Sequence, residues 1–271
     1  MADADLSRVE LIREVFHYQS RFAGSTMVFK IDFPVTEDAA FPLLMRDLAL
    51  LAKTGFRIVI VPGAKEWIDS VLAEYGIVSK YSGDTRITVA KSMPFVEMAA
   101  FHVANRFMTG LSADRVDAVI GNFVRARGIG VVDGVDMENT GLVDKILTNS
   151  IIRVLDQGMA PILPCIGWSP AGKPYNLLSD EIALAVSAAL GAIKLFIVTV
   201  HDGLRRGPCA LPEDIDFAEN GRVTELTPQE TEAVLRSLPC PLRPDSPPGA
   251  GKIAAELALA LKASRAGVER V

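Results

Sequence analysis

Apolar and polar positions along the chain follow two alternating patterns. Short apolar runs, as at residues 27–31 and 57–61, predict buried β-strands. Between such runs lie longer segments in which apolar residues recur every three or four positions. Several of them end at a glycine, such as Gly55 or Gly76, and these segments predict amphipathic helices. Strands and helices that alternate through short connections favour a parallel sheet covered on both faces. We therefore predict an α/β fold, a three-layer α/β/α sandwich with a mainly parallel central sheet.

Turn residues and prolines mark the boundaries of the later elements. Turn signals within residues 131–143 indicate a hairpin, and Ser179 is the expected N-cap of a later helix. Prolines in the strand-like run 161–166 predict a sheet edge or a strand end. A proline-rich loop is expected over residues 239–251, after a helix at 228–237.

The two ends of the chain suggest how it is divided. Residues 5–22 have an amphipathic pattern, so we predict an N-terminal helix within residues 1–24. Residues 25–271 then form the α/β domain. The last four residues resemble the first residues of a strand, and we expect the chain to stop before the last strand or strands of the fold.

Composition narrows the class of protein. The 271 residues are 49% hydrophobic and 23% charged, which is typical of a folded globular domain. A net charge of −5 disfavours a nucleic acid partner. No apolar run reaches the roughly 18 residues of a membrane-spanning helix. An acidic N-terminus, unlike a signal peptide, predicts a cytoplasmic protein.

Several common kinds of site are disfavoured. Cys165, Cys209 and Cys240 are widely spaced and form no Cys-x-x-Cys pair, so we expect neither a metal site nor a disulfide framework. No Gly-x-Ser-x-Gly elbow occurs, and no Gly-x-Gly-x-x-Gly follows a strand. A serine hydrolase and a nicotinamide dinucleotide site are therefore poorly supported.

Four loops at strand ends carry candidate groups, because ligands of open α/β sheets bind at the carboxyl ends of the strands. In the first loop, Lys30 either holds a phosphate or carboxylate or extends into solvent. In the second, Gly63 and Ala64 form either a backbone cradle for an anion before a helix N-terminus or an ordinary tight turn.

The other two loops add a cation, an amide and a carboxylate. Arg86 is either a bidentate clamp for a carboxylate or a solvated surface residue. Asn176 suits recognition of an amide or a carboxylate. Asp180 either organises nearby basic groups or stabilises the start of its helix.

Taken in order, these four loops resemble the amino-acid kinase family, and specifically its acetylglutamate branch. That branch carries Lys-x-Gly-Gly, Val-His-Gly-Gly-Gly, Leu-Arg-Val-Thr and Asn-x-Asn-x-Asp. The corresponding stretches here are residues 30–33, 61–65, 85–88 and 176–180. The resemblance extends from the N-terminal helix to the last residue. It implies the three-layer fold of that family.

Further stretches resemble the kinase-like portion of the N-acetylglutamate synthases more specifically. They include residues 121–124, 132–136 and 155–158. Gly63-Ala64 matches the Gly-Ala that these synthases have where the kinases have Gly-Gly. The helix at 5–22 is similar to the one that arginine-sensitive members add. In bacterial synthases an acetyltransferase domain follows, and we expect it to be absent from this chain.

The resemblance implies a role for each candidate residue. Lys30 corresponds to the lysine that stabilises the transferring phosphoryl group, and Asp180 to the aspartate that orients catalytic lysines; both roles are expected to be vestigial. The positions expected to hold an acetylamino-acid ligand are Gly63, Ala64, Arg86 and Asn176, with Arg86 on its α-carboxylate.

Departures from the kinase pattern fall on the phosphate side. Asp32 and Phe33 replace a glycine pair, and we expect their side chains to fill the space where bare backbone would approach the phosphates. Asp32 would also repel a polyphosphate. Lys65, Leu178 and Val200 replace a glycine, an asparagine and an aspartate.

Three hypotheses follow from the resemblance. The preferred one is a regulatory and oligomerisation portion of an N-acetylglutamate synthase in arginine biosynthesis, without phosphoryl transfer and without a cofactor. It would form homo-oligomers and take N-acetylglutamate or arginine as its small-molecule ligand. We expect its arginine pocket to be incomplete, because part of that pocket lies in sequence beyond residue 271. The second hypothesis is an active acetylglutamate kinase that uses MgATP, and the third is an interaction module without a ligand.

Overall fold

The computed structural model describes residues 2–83, 85–201, 203–205, 215–237 and 250–271, without the side chains of residues 2–8, 11, 12 and 250. The proline-rich loop predicted at 239–251 lies outside the described residues up to residue 249, as do Cys209 and Cys240. The elements follow one another in the order α1 (Ala2–Phe22), β1 (Thr26–Ile31), α2 (Phe33–Glu37), α3 (Phe41–Lys53), β2 (Arg57–Pro62), α4 (Lys65–Glu74), β3 (Lys80–Ser82), β4 (Thr85–Ile87), a 3-10 turn (Ala90–Ser92), α5 (Met93–Ala113), β5 (Ala118–Ile120), β6 (Val124–Gly128), β7 (Val131–Val132), β8 (Val135–Asp136), β9 (Gly141–Ile146), α6 (Thr148–Asp156), β10 (Ala160–Ile162), β11 (Ile166–Trp168), β12 (Pro174–Asn176), α7 (Ser179–Leu190), β13 (Lys194–Val198), α8 (Pro228–Ser237) and α9 (Ala250–Arg265).

Five parallel strands form the central sheet, in the order β13-β1-β2-β10-β5. Strand β1 pairs along its length with both neighbours; Val28, for example, lies opposite Val59 and Leu195. Because β1 is flanked on both sides, its carboxyl end opens among the ends of two other strands rather than at a sheet edge.

Side chains alternate between the two faces of this sheet, and each face has its own apolar core. Met27, Phe29 and Ile60 pack on one face against helices α3, α4 and α5. Val28 and Val59 pack on the other against α6, α7 and α9. The predicted three-layer α/β/α fold with a mainly parallel sheet is confirmed.

The position of strand β10 differs from the prediction. Residues 161–166 were expected at a sheet edge or strand end, yet β10 lies between β2 and β5 with Pro161 in its centre. Proline is tolerated because β10 is short and its ladder with β2 has a single paired position, Ile162 opposite Ile60. The next donor towards β2 is the Leu163 N–H, which reaches the Ile60 carbonyl at 2.9 Å.

A smaller mixed sheet of order β12-β11-β6-β9 and two hairpins, β3–β4 and β7–β8, complete the strands that the structure describes. The hairpin predicted within residues 131–143 is confirmed. At its tip Asp133 and Gly134 have φ of 49° and 78°, as a two-residue turn with two left-handed positions requires. Ser179 is the first residue of α7, and the N-cap position is taken by Leu178, so the predicted cap was one residue late.

The side chain of Phe33 lies in the core, contrary to the prediction that it fills a phosphate site. It begins helix α2, is 9% exposed and stacks on Trp67 at a centroid distance of 5.6 Å. The turn at Asp32 directs the next side chain under α4, so of the predicted pair only Asp32 remains at the strand end.

No helix in the described part of the chain combines the length and the apolarity that a membrane span needs.

Candidate functional site

A cavity of about 530 Å³ opens at the carboxyl ends of β1 and β2, where helices α4 and α7 begin. Helix α9 and the β3–β4 hairpin close two of its sides. The structure brings together in its lining all six residues singled out from the sequence: Lys30, Gly63, Ala64, Arg86, Asn176 and Asp180. Their roles towards a ligand stay predictions.

Lys30 is held between two carboxylates. Its Nζ atom lies 2.6 Å from Asp32 Oδ1 and 2.9 Å from Asp180 Oδ1, and the residue is only 5% exposed. Burial alone would lower the pKa of Lys30, but the charges of Asp180 and Asp32 raise it above its ordinary value. The lysine therefore stays charged at neutral pH and does not extend into solvent.

Asp180 contacts Lys30 rather than capping its own helix. Helix α7 has no side-chain cap, and Asp180 sits in its first turn with its carboxylate on the ammonium group. Of the two alternatives left open for Asp180, the geometry favours the one in which it organises a basic group.

Two backbone amides at the strand ends are already used within the protein. The Asp32 N–H donates to the Val198 carbonyl at 3.0 Å, and the Gly63 N–H donates to the Ile31 carbonyl at 2.8 Å. A Cβ atom on Gly63 would meet the Asp32 Cα and Oδ1 atoms at 3.4 Å, so the two loops are in close contact. The predicted cradle thus loses the Gly63 amide, while helix α4, which begins after Ala64, has no side-chain cap on the N–H groups of its first turn.

Arg86 is buried, 5% exposed, and its guanidinium is fixed on one side. It forms an ion pair with Asp69 and donates to the Ser79 hydroxyl at 2.5 Å and to the Lys65 carbonyl at 3.0 Å. Its guanidinium also lies 5.0 Å from the centroid of the Tyr81 ring. The alternative of a solvated surface arginine is excluded.

Asp69 is a residue that the sequence interpretation missed. It lies on α4 and accepts hydrogen bonds from Arg86 and from the Tyr81 hydroxyl, the latter at 2.6 Å. Burial favours its protonated form, but the hydrogen bonds from Arg86, Ser79 and Tyr81 lower its pKa overall. Burial and the same carboxylate raise the pKa of Tyr81. The sequence signal that could have pointed to Asp69 is its position four residues after Lys65, one helical turn along α4.

Asn176 belongs to a polar network beneath the cavity. Its Nδ2 atom donates to Thr88 Oγ1 at 3.0 Å, and its backbone N–H donates to the Asn139 carbonyl. Thr140 accepts from the Thr88 N–H at 2.9 Å and donates to the Arg86 carbonyl at 2.6 Å. The network ties the β3–β4 hairpin to the smaller sheet.

Helix α9 contributes two charged residues that were also missed. Lys252 Nζ lies 3.3 Å from Glu66 Oε1 at the start of α4. Burial and the carboxylate of Asp32 raise the pKa of Glu256. More than 200 residues separate Lys252 and Glu256 from Lys30. The sequence signal available was two charged residues one helical turn apart in a mostly apolar helix.

Cys165 lines the cavity without supplying a nucleophile. Burial raises the pKa of its thiol to about 12, so it stays protonated at neutral pH. Within the described ranges no group of three or more His, Cys, Asp or Glu residues could hold a metal ion.

We predict that Asp69→Asn lowers the free energy of unfolding at pH 7 by about 1–3 kcal/mol, because the buried Arg86 loses a charged partner. The folded-state pKa of Asp69 lies below its unfolded value, so its contribution is present above the unfolded pKa and is lost as the pH falls through the folded pKa. Urea denaturation at pH 7, 5 and 3 should therefore show a deficit that shrinks with acidity.

Asp156→Asn is the matched control, since Asp156 pairs with the exposed Arg57 far from the cavity. It should change stability by less than about 0.5 kcal/mol. A deficit for Asp69→Asn that is the same at all three pH values would contradict the role assigned to its charge.

Comparison with known proteins identifies the family of the chain. The sequence profile described as "Amino acid kinase family" matches residues 34–235. The amino-acid acetyltransferase of Neisseria meningitidis serogroup B is 32% identical over 233 residues, which cover 83% of this chain and 53% of that protein. That of Vibrio vulnificus is 31% identical over 271 residues, covering 97% of this chain and 58% of the relative.

Solved structures give the same picture. The N-acetylglutamate synthase from Neisseria gonorrhoeae, complexed with coenzyme A and N-acetyl-glutamate, matches with a TM-score of 0.79 and 30% identity over 96% of this chain and 56% of that one. The same enzyme with coenzyme A and L-arginine also matches with a TM-score of 0.79, at 29% identity and with 96% and 58% covered.

The chain spans little more than half the length of these relatives. Since the family profile covers most of the chain and the fold agrees with that of the synthase, the chain belongs to the amino acid kinase family.

Proposed function

We propose that this domain binds a small acylated amino acid in the cavity and does not transfer a phosphoryl group. It would serve as the regulatory and assembly portion of an N-acetylglutamate synthase. The observation that carries the proposal is the position of Lys30, held between Asp32 and Asp180.

The charge around Lys30 opposes a nucleotide. Phosphoryl transfer depends on positioning and on stabilising the charge of the transferring group. Among the described residues that line the end of β1, the one side-chain cation is Lys30, and it is already matched by two carboxylates. Two unit charges about 4 Å apart repel by about 4 kcal/mol at an effective dielectric constant near 20. A polyphosphate beside Asp32 would meet repulsion of this order.

The backbone around Lys30 supports the same conclusion. Polyphosphates bind where several free N–H groups converge on bare backbone. The amides of Asp32 and Gly63 instead donate to the carbonyls of neighbouring strand residues. A carboxylated ligand needs fewer donors, and Arg86 together with the start of α4 can supply them.

Asn176 and Arg86 together suit an acylated amino acid. The guanidinium of Arg86 keeps N–H donors beyond those that contact Asp69, Ser79 and Lys65, since arginine has five. Asn176 offers an amide that matches the acylamide of such a ligand. The N. gonorrhoeae synthase, solved with N-acetyl-glutamate, shows that a relative binds a ligand of this class.

The rival hypothesis, an active acetylglutamate kinase, is favoured by the presence of Lys30, Arg86, Asn176 and Asp180 in one cavity. Substitutions at Asp32 distinguish the kinase hypothesis from the proposed function. Asp32→Asn removes the charge at constant volume, and Asp32→Gly removes the side chain as well, while Phe33 is left in the core.

We predict that calorimetry detects no MgATP binding by the parent chain, and that the chain with MgATP and N-acetylglutamate forms no ADP. Asp32→Asn should bring MgATP binding into the measurable range, at least about tenfold tighter than the detection limit that the parent chain does not reach, because one repulsive charge is gone. Asp32→Gly should tighten it further if the side chain also obstructs the phosphates. Micromolar MgATP binding and turnover by the parent chain would refute the proposal.

Assembly is the second part of the proposed role. In the part of helix α1 whose side chains the structure describes, several apolar residues are exposed, among them Val15 at 58% and Phe16 at 66%. Such residues on a helix that leaves its apolar surface in solvent favour contact with a second copy of the chain.

We predict that light scattering gives the parent chain a mass above that of a monomer, and that Val15→Ser with Phe16→Ser reduces it. Leu50→Ser, at an exposed apolar position on α3, is the control and should leave the mass unchanged. A monomeric parent chain, or an unchanged mass for the α1 variant, would count against assembly through α1.

A further inference from the structure

The charged residues of the cavity are divided between two ends. At the end of β1, here called the strand end, the charged residues of the lining are Lys30, Asp32, Asp180 and Glu256. At the start of α4, here called the hairpin end, the charged lining consists of Lys65, Glu66, Arg86 and Lys252.

The strand end has a surplus of negative charge. Lys30 is its one ammonium group among the lining residues, and Asp32 and Asp180 contact it at 2.6 and 2.9 Å. Glu256 faces the same space, since the charges of both Lys30 and Asp32 act on it. Helix α7 also begins here and adds the positive end of its dipole, about half a unit charge; even so, and with Glu256 protonated, two carboxylates against one lysine leave a negative balance.

The hairpin end has a surplus of positive charge. Arg86 and Lys65 both line it, and the N-terminus of α4 adds the positive end of a helix dipole. The charge of Glu66 is balanced by Lys252, whose Nζ atom lies 3.3 Å from Glu66 Oε1. Asp69 takes up one side of Arg86, which leaves Lys65 and the helix dipole in excess.

We propose that the cavity selects an Nα-acylated amino acid whose side chain ends in a cation. The ligand's carboxylate lies at Arg86, its acylamide near Asn176, and its side-chain ammonium at the strand end among Asp32, Asp180 and Glu256. This inference rests on the proposed function and assigns the class of ligand. A cavity of about 530 Å³ is within the range of small-molecule sites.

A dicarboxylate fits this division less well. Its first carboxylate can occupy the hairpin end, but its second would face the carboxylates of the strand end. Specificity between such ligands arises as much from repulsion of the wrong one as from attraction of the right one. An uncharged side chain of similar length should fall between the two.

Three probes with the same acylated core and different terminal charges test the inference on the full chain. We expect calorimetry to give Nα-acetyl-L-ornithine at least tenfold tighter binding than N-acetyl-L-glutamate, with N-acetyl-L-glutamine in between. Raising the salt concentration should narrow the difference, because it screens the charges.

Two variants locate the selectivity. Asp32→Asn and Glu256→Gln should each reduce the preference for the ornithine derivative over the glutamine derivative by severalfold. Asp156→Asn, remote from the cavity, should leave both affinities within about twofold. A preference that is unchanged in both cavity variants would overturn the assignment of the cation to the strand end.

The outcomes separate this inference from the proposed function. If the parent chain binds the glutamate derivative as tightly as the ornithine derivative or more tightly, the inference fails and the proposed function stands. If the parent chain binds none of the three, both fail.

Discussion

The ion cluster that the buried Lys30 forms with the partly exposed Asp32 and Asp180 is the interaction on which the character of the site depends. A buried ammonium group without partners would be strongly unfavourable, so the lysine at the end of β1 requires carboxylates around it. They come from the turn that leads into α2 and from the first turn of α7, which meet at the carboxyl end of β1. The same arrangement balances the charge of this lysine with two carboxylates, and on this balance rests the proposal that Lys30 does not serve a phosphate.

A second network gives the cavity its other end. Arg86 is fixed through Asp69 to helix α4 and through Thr140 to the smaller sheet, so the β3–β4 hairpin is held against both. The fold thus places a fixed guanidinium and a matched lysine at different ends of one cavity. We propose that this geometry orients a small ligand and does not serve phosphoryl transfer.

The sequence was sufficient to predict the alternation of strands and helices, the layers, and the six residues that meet in the cavity. Lys30, Gly63 and Ala64 meet because the carboxyl ends of parallel strands lie at one edge of the sheet. Arg86 and Asn176, in contrast, lie on strands of the other sheets and were grouped with them through the family resemblance. It was insufficient for contacts that depend on side-chain direction or on distant helices. Phe33 turns into the core because α2 begins directly after Asp32, and Pro161 is accepted inside the sheet because its strand pairs so briefly with β2. Asp69 and Glu256 reach the site from helix surfaces whose orientation no local pattern fixes.

The pKa of the Lys30 side chain tests the account most directly. A pH titration of the Lys30 Nζ chemical shift by ¹H–¹⁵N NMR, with the signal assigned from Lys30→Arg, would report its charge and surroundings. The ion cluster predicts a pKa above the ordinary 10.5 and a shift that millimolar MgATP does not change. A pKa at or below 10.5, or a shift that moves on addition of MgATP, would contradict the claim that Asp32 and Asp180 close this lysine to phosphate.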